Sequence, residues 1–105
     1  MLNLNTPLEN SLRIASKFKE IRIDYNLTQR DLSARSKVSL GTLRRFETTG
    51  RIALESLMKL AAVLDLSDVM IDSLENASRK AQSLDEMLKQ KNRPRVRAYA
   101  KKVKS

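Results

Sequence analysis

Signals that start helices recur so closely along the first 86 residues of this chain that only a succession of short helices can satisfy them. Thr6-Pro7-Leu8-Glu9 is the clearest. A threonine hydroxyl there can accept an orphan amide, proline occupies a helical position that needs no donor, and glutamate returns a bond to the cap. From it Ile14, Phe18, Ile21 and Tyr25 follow helical spacing, predicting a first helix from about Pro7 to Asp24. Thr28 opens a second, Gln29 to Ser36, with Asp31 near its positive end. Ser39 opens a third, Leu40 to about Thr48, which closes toward Gly50. Leu54, Leu57, Leu60, Ala61 and Leu64 then mark an amphipathic fourth, and Ser67 caps a short fifth, about Asp68 to Leu74. A polar stretch, ENASRKAQ, leads to a further start at Ser83-Leu84-Asp85-Glu86, a short extra helix that fades near Lys91. With two Gly, two Pro and no alternating strand pattern, the expected fold is all-α. Residues 6–76 should form a compact five-helix domain, and 77–105 an extension with the short helix and a basic tail that is disordered when alone.

Composition narrows the function. No Cys and no His occur, which removes thiolate chemistry, zinc sites of the usual kind and Ser-His-Asp catalysis. No catalytic constellation stands out, so the chain is not expected to be an enzyme, and no cofactor or metal is implied. Its apolar stretches, such as LAAVLDL, are too short to span a bilayer, and the start does not read as a signal segment. A cytoplasmic protein with no membrane partner is expected. Net charge is +9, but residues 87–105 hold eight Lys and Arg with no acid, leaving the first 86 residues at +1. A near-neutral body with a strongly basic end points to a polyanionic partner. The alternative is a tail that serves solubility alone.

The segment Ser39 to Arg51, SLGTLRRFETTGR, poses the sharper question. Leu43 and Phe46 can face a core, yet Gly41 lies inside the first turn at a helix cost of about 1 kcal/mol relative to Ala, and Arg44 and Arg45 are adjacent. By itself this is a solvated face, with glycine relieving a close helix crossing. In context it changes meaning. LTQRDLSARSKVSLGTLRRFE resembles the helix-turn-helix of lambda-repressor-like, or xenobiotic-response-element, bacterial regulators: Thr28-Gln29 open the second helix, Leu32-Ser33 lie in its middle, Ser39 opens the third and Phe46-Glu47 close it. LESLMKLAAVLDLS resembles the family's fourth helix and the approach to its fifth.

This resemblance implies a DNA-binding regulator whose third helix enters the major groove of double-stranded DNA. It places Ser39 at the cap, and Leu40, Gly41, Thr42 and Arg45 at base-facing or sugar-phosphate-facing positions. Arg44 is rotated toward phosphate, and Gln29 matches the family's phosphate-contacting Gln. Lys37 and Arg51 flank the groove as further phosphate partners. Arg guanidinium suits guanine O6 and N7, and Thr suits a thymine methyl or a base edge. Arg22 and Glu47 match a family pair that ties the recognition helix to the body, a structural role. One position departs: the family's turn often has Gly where this chain has Lys37, so the turn is expected to be strained or shifted.

The resemblance also implies a homodimer, with self-contact around the fifth helix; Val69, Met70, Ile71 and Leu74 can serve it or complete the core. More narrowly, LRRFETTGRIALESLMKLAAVLDL resembles HipB-type antitoxins, which would add a HipA-like kinase toxin as partner. Two other classes stay open: a nonspecific nucleic-acid-binding or architectural protein working through its tail, and an adaptor on anionic lipid.

Overall fold

Five helices follow one another along residues 5–91, the part of the chain that the structure, a computed structural model, describes: α1 (Pro7–Asp24), α2 (Gln29–Ser36), α3 (Leu40–Thr49), α4 (Leu54–Val63) and α5 (Ser67–Lys91). The chain divides into two units after Ser67. In the first, α3 packs against α1 and α2, and α2 packs in turn on α4. Phe46, Leu32, Leu43, Leu60 and Leu64 are fully buried there. Phe46 of α3 meets Phe18 of α1 edge to face, with ring centroids 5.6 Å apart, the geometry the ring quadrupoles favour.

The helix starts are built from short side chains. Thr6 with Glu9, and Thr28 with Asp31, form reciprocal capping boxes, each satisfying two amides that the helix itself leaves unpaired. In the second box the Thr28 amide, 3.0 Å from Asp31 Oδ2, and then the Thr28 hydroxyl hold the Asp31 carboxyl below its ordinary value of 3.8. Helix ends share a second device. Asn26, Lys37, Gly50 and Asp65, which follow α1 to α4, all take left-handed backbone with φ between 58° and 77°. Asn and Asp tolerate this region well, while lysine does so at a cost.

Two apolar stripes divide between core and surface, and one expectation needs correction. The buried line of α1 is Ala15, Phe18 and Arg22, not the stripe through Ile14 and Tyr25, which lie exposed at 48% and 44%. Leu54, the first residue of α4, is exposed, because that helix buries Leu60 and Ala61 one to two turns further on. Beyond Leu74 the polar stretch does not interrupt the helix: α5 runs for 25 residues, and the extra helix expected from Ser83 is its second half. ENASRKAQ contains neither Gly nor Pro, and Glu, Ala, Arg, Lys and Gln are good helix formers, so nothing there stops propagation. The expected domain boundary after residue 76 therefore falls inside α5. Among the described residues no helix is long and apolar enough to cross a membrane. The basic tail beyond Lys91 lies outside the described residues.

Candidate nucleic-acid interface

The junction between α2 and α3 is only three residues long, Lys37, Val38 and Ser39. Lys37 adopts φ 67° and ψ 19°, so the turn takes the left-handed form without shifting to avoid its side chain. Two serines offset the strain. Ser33 Oγ donates to the Val38 carbonyl at 2.6 Å, and the Val38 amide donates to Ser36 Oγ at 3.2 Å, so both polar groups of the buried turn residue are satisfied. The Lys37 amide closes α2 onto the Ser33 carbonyl. These hydroxyl contacts were not read from the sequence; serines at Ser33 and Ser36, in the last turn of α2 just before the strained residue, are the signal that was available. Leu32 and Leu43, both fully buried, wedge α2 and α3 together above this turn.

Those constraints fix which face of α3 is left for solvent. Leu43 and Phe46 point inward; Gly41, Arg44 and Arg45 are exposed, and Leu40 and Thr42 half-buried. The Ser39 hydroxyl caps the Thr42 amide at 3.1 Å and donates to Thr42 Oγ1 at 2.9 Å. Ser39 is thereby committed to the helix start, while the Thr42 hydroxyl proton stays free to donate outward. A Cβ added at Gly41 would meet nothing within 4 Å. No helix crossing calls for that glycine. Gly50 is the opposite case: at φ 77°, a Cβ there would press on the Ser11 carbonyl carbon at 2.9 Å and the Leu12 amide nitrogen at 3.0 Å. The close approach of α3 to α1 is made at Gly50.

Arg22 and Glu47 come together behind this face, with side chains only 8% and 5% exposed. Arg22 Nε donates to Glu47 Oε2 at 2.9 Å and Nη2 to Oε1 at 3.1 Å, a bidentate fork. The third guanidinium nitrogen, Nη1, donates to the Leu27 carbonyl at 2.8 Å. One side chain of α1 thus holds both the lead-in to α2 and the end of α3. Gln29 extends the network outward: its Nε2 donates to Glu47 Oε1 at 2.8 Å, and its Oε1 accepts from Arg44 Nε at 3.4 Å. Arg44 is therefore leaned toward the start of α2, where first-turn amides and the helix dipole already favour an anion.

Arg45 and Arg51 face the other flank. With Thr42, Ile52, Ala53 and Ser56 they line an open cleft of about 410 Å³ between the end of α3 and the start of α4. Ser56 was not foreseen from the sequence, because only the turn through Gly50 brings it beside α3. Among the described residues, Lys37, Arg44, Arg45 and Arg51 have no carboxylate partner. The surface thus offers cations on both sides of a nearly bare helix start.

Two helices locked by a short turn, the second presenting an unneutralised basic face, define a DNA-binding helix-turn-helix module. The helix-turn-helix family model matches residues 18–71, more than half of the chain, and the chain belongs to this family of lambda-repressor/Cro-type regulators. No curated protein and no solved structure matches the chain.

Proposed function

We propose that the chain is a sequence-specific transcriptional repressor that reads an inverted-repeat operator as a homodimer, acting in the cytoplasm by occupying a promoter and without catalysis of its own. The observation that carries this reading is the empty space at Gly41 beside Thr42 and Arg45. A glycine that the fold does not need, on an exposed helix start flanked by unpaired cations, suits close approach by another backbone. In the major groove Leu40, Gly41, Thr42 and Arg45 reach bases or sugars, while Gln29, Lys37, Arg44 and Arg51 hold phosphates. Residues 6–76 carry this reading head, and the extension from 77 to 105 adds electrostatic attraction through its basic end.

The likeness of Leu43–Leu66 to HipB-type antitoxins extends the proposal to control of a toxin operon, with a HipA-like kinase as protein partner. Co-purification of the chain with a kinase encoded beside it supports that extension, and absence of a complex removes it.

Selection of bound duplexes from a random pool at near-physiological salt tests the central reading, and an inverted repeat is the expected product. Against that repeat, Arg45→Ala should lose about 1–3 kcal/mol while binding to unrelated DNA changes little. No enriched motif, or equal loss on both DNAs, would replace the repressor by a nonspecific binder working through its tail.

A further inference from the structure

Arg30 stands at the wrong end of its helix. It is the second residue of α2, where the first-turn amides and the helix dipole favour an anion and disfavour a cation. Its side chain is exposed, and among the described residues it makes no ion pair and no side-chain hydrogen bond. Asp31, the one acid of α2, does not answer it. The Asp31 Oδ2 accepts from the Thr28 amide at 3.0 Å, and its charge acts on Arg35, one turn on. Nothing inside the described fold accounts for this arginine.

Its place on the helix gives it company. Arg30, Ala34 and Lys37 follow at steps of four and three residues, so they share one line, about 10 Å from first to last. All three are exposed, and Lys37 has no carboxylate partner either. The line borders Gln29 and Ser33, the side chains through which α2 reaches α3 and the turn. It therefore carries the basic edge of the recognition face from Arg44, by way of Gln29, onto the outside of α2. Ala34 leaves a shallow place between two long cations, where a sugar-phosphate strand can lie without meeting a side chain. Arg35 bears the same charge on the same helix, but about 140° round from Arg30 and on the side of Asp31.

We propose that Arg30 is a phosphate-binding residue, and that the line Arg30, Ala34, Lys37 seats the DNA backbone beyond the bases read by α3. The inference rests on the DNA-reading role proposed above and extends it to a contact that reads no base. A guanidinium offers a phosphate two parallel donors. The same phosphate comes within the field of the α2 start, so the anion that suits Arg30 also suits the helix.

The probe is the duplex selected from the random pool, with each backbone phosphate replaced singly by an uncharged methylphosphonate. In each half-site, one flanking replacement should cost the wild-type chain about three- to tenfold in affinity and cost Arg30→Gln nothing further. On the unmodified duplex Arg30→Gln should bind about three- to tenfold more weakly, with a salt slope smaller by about 0.9 per bound copy and the same consensus. Urea titration should find it no less stable than wild type, since Gln and Arg have similar helix propensity. Arg35→Gln removes the same charge and should stay within about twofold of wild type in affinity, with its slope unchanged. Equal losses for the two variants would make Arg30 a share of net charge and overturn the contact. A phosphate scan identical for wild type and Arg30→Gln does the same. A changed consensus would make Arg30 a base reader and overturn the phosphate assignment. A drop in the stability of Arg30→Gln would give the residue an internal role, with the same result. An inverted repeat bound equally by wild type and Arg30→Gln overturns the contact alone, whereas a pool that yields no preferred duplex overturns the DNA-reading role and this contact with it.

Discussion

The two glycines of this chain divide the work of α3 between them. Gly50 is required by the fold, being left-handed and pressed on the backbone of α1. Gly41 is required by nothing inside the described chain. Substitution by alanine should therefore act in opposite directions. Gly41→Ala should raise stability by about 0.5–1 kcal/mol through helix propensity and weaken operator binding. Gly50→Ala should lower stability by more than about 1 kcal/mol, because the left-handed strain adds to the collision with Ser11 and Leu12. Urea titration and operator binding on the same two variants check both signs. At this scale the sequence was informative about residue type and silent about necessity. Both glycines were visible, but which one a neighbouring helix excludes from change depends on an approach between Gly50 and Ser11, distant in sequence. Lys37 teaches the same: its mismatch with the turn could be read, but the rescue by Ser33 and Ser36 hydroxyls could not.

Among elements, the network from Arg22 through Glu47 and Gln29 to Arg44 sets how rigidly α3 is held. Arg22→Ala leaves the Glu47 carboxylate buried with only Gln29 to answer it, a loss expected to reach about 3–5 kcal/mol. Thermal unfolding measures it; a loss under 1 kcal/mol would mean that water replaces the guanidinium. Gln29→Ala should be milder for stability and should loosen Arg44, reducing phosphate-dependent affinity equally on all DNA sequences. The start of α2 brings a pH dependence. Asp31 has a lowered folded pKa, so its stabilising effect is complete above the unfolded value near 3.8 and disappears as pH falls through the lower folded one. Asp31→Asn should therefore be less stable than wild type at pH 7, with the difference closing below about pH 4 in paired urea titrations. Helix starts were legible because capping is local: Thr6 with Glu9 and Thr28 with Asp31 lie within one turn. The reach of α5 was not, since a start-like signal at Ser83 carries no information about whether an earlier helix has stopped. Burial faces are not decided locally either, as Ile14 and Ala15 are adjacent and only the partner helix selects between them.

At the scale of the whole molecule, a compact reading head is coupled to a strongly basic chain end. The six Lys and Arg beyond residue 91 are expected to neutralise phosphates whatever the sequence beneath them. Deleting residues 92–105 should flatten the dependence of log affinity on log salt, by up to about 5 if all six engage, at roughly 0.9 per phosphate. The preferred operator should not change. A changed consensus from the shortened chain would show that this end reads grooves itself. Binding titrations at four salt concentrations suffice to measure the slope.

The vacancy beside Gly41 has an evolutionary corollary. Core packing holds Leu43, Phe46 and Glu47 in place, and the contact with α1 holds Gly50, but positions 41 and 45 answer to no internal neighbour. A duplicated gene could accumulate changes at those two sites without compromising a foldable product. Regulatory divergence between paralogues is then only a couple of codons away, while drift at Leu43, Phe46 or Gly50 is purged before it can alter which promoters are silenced.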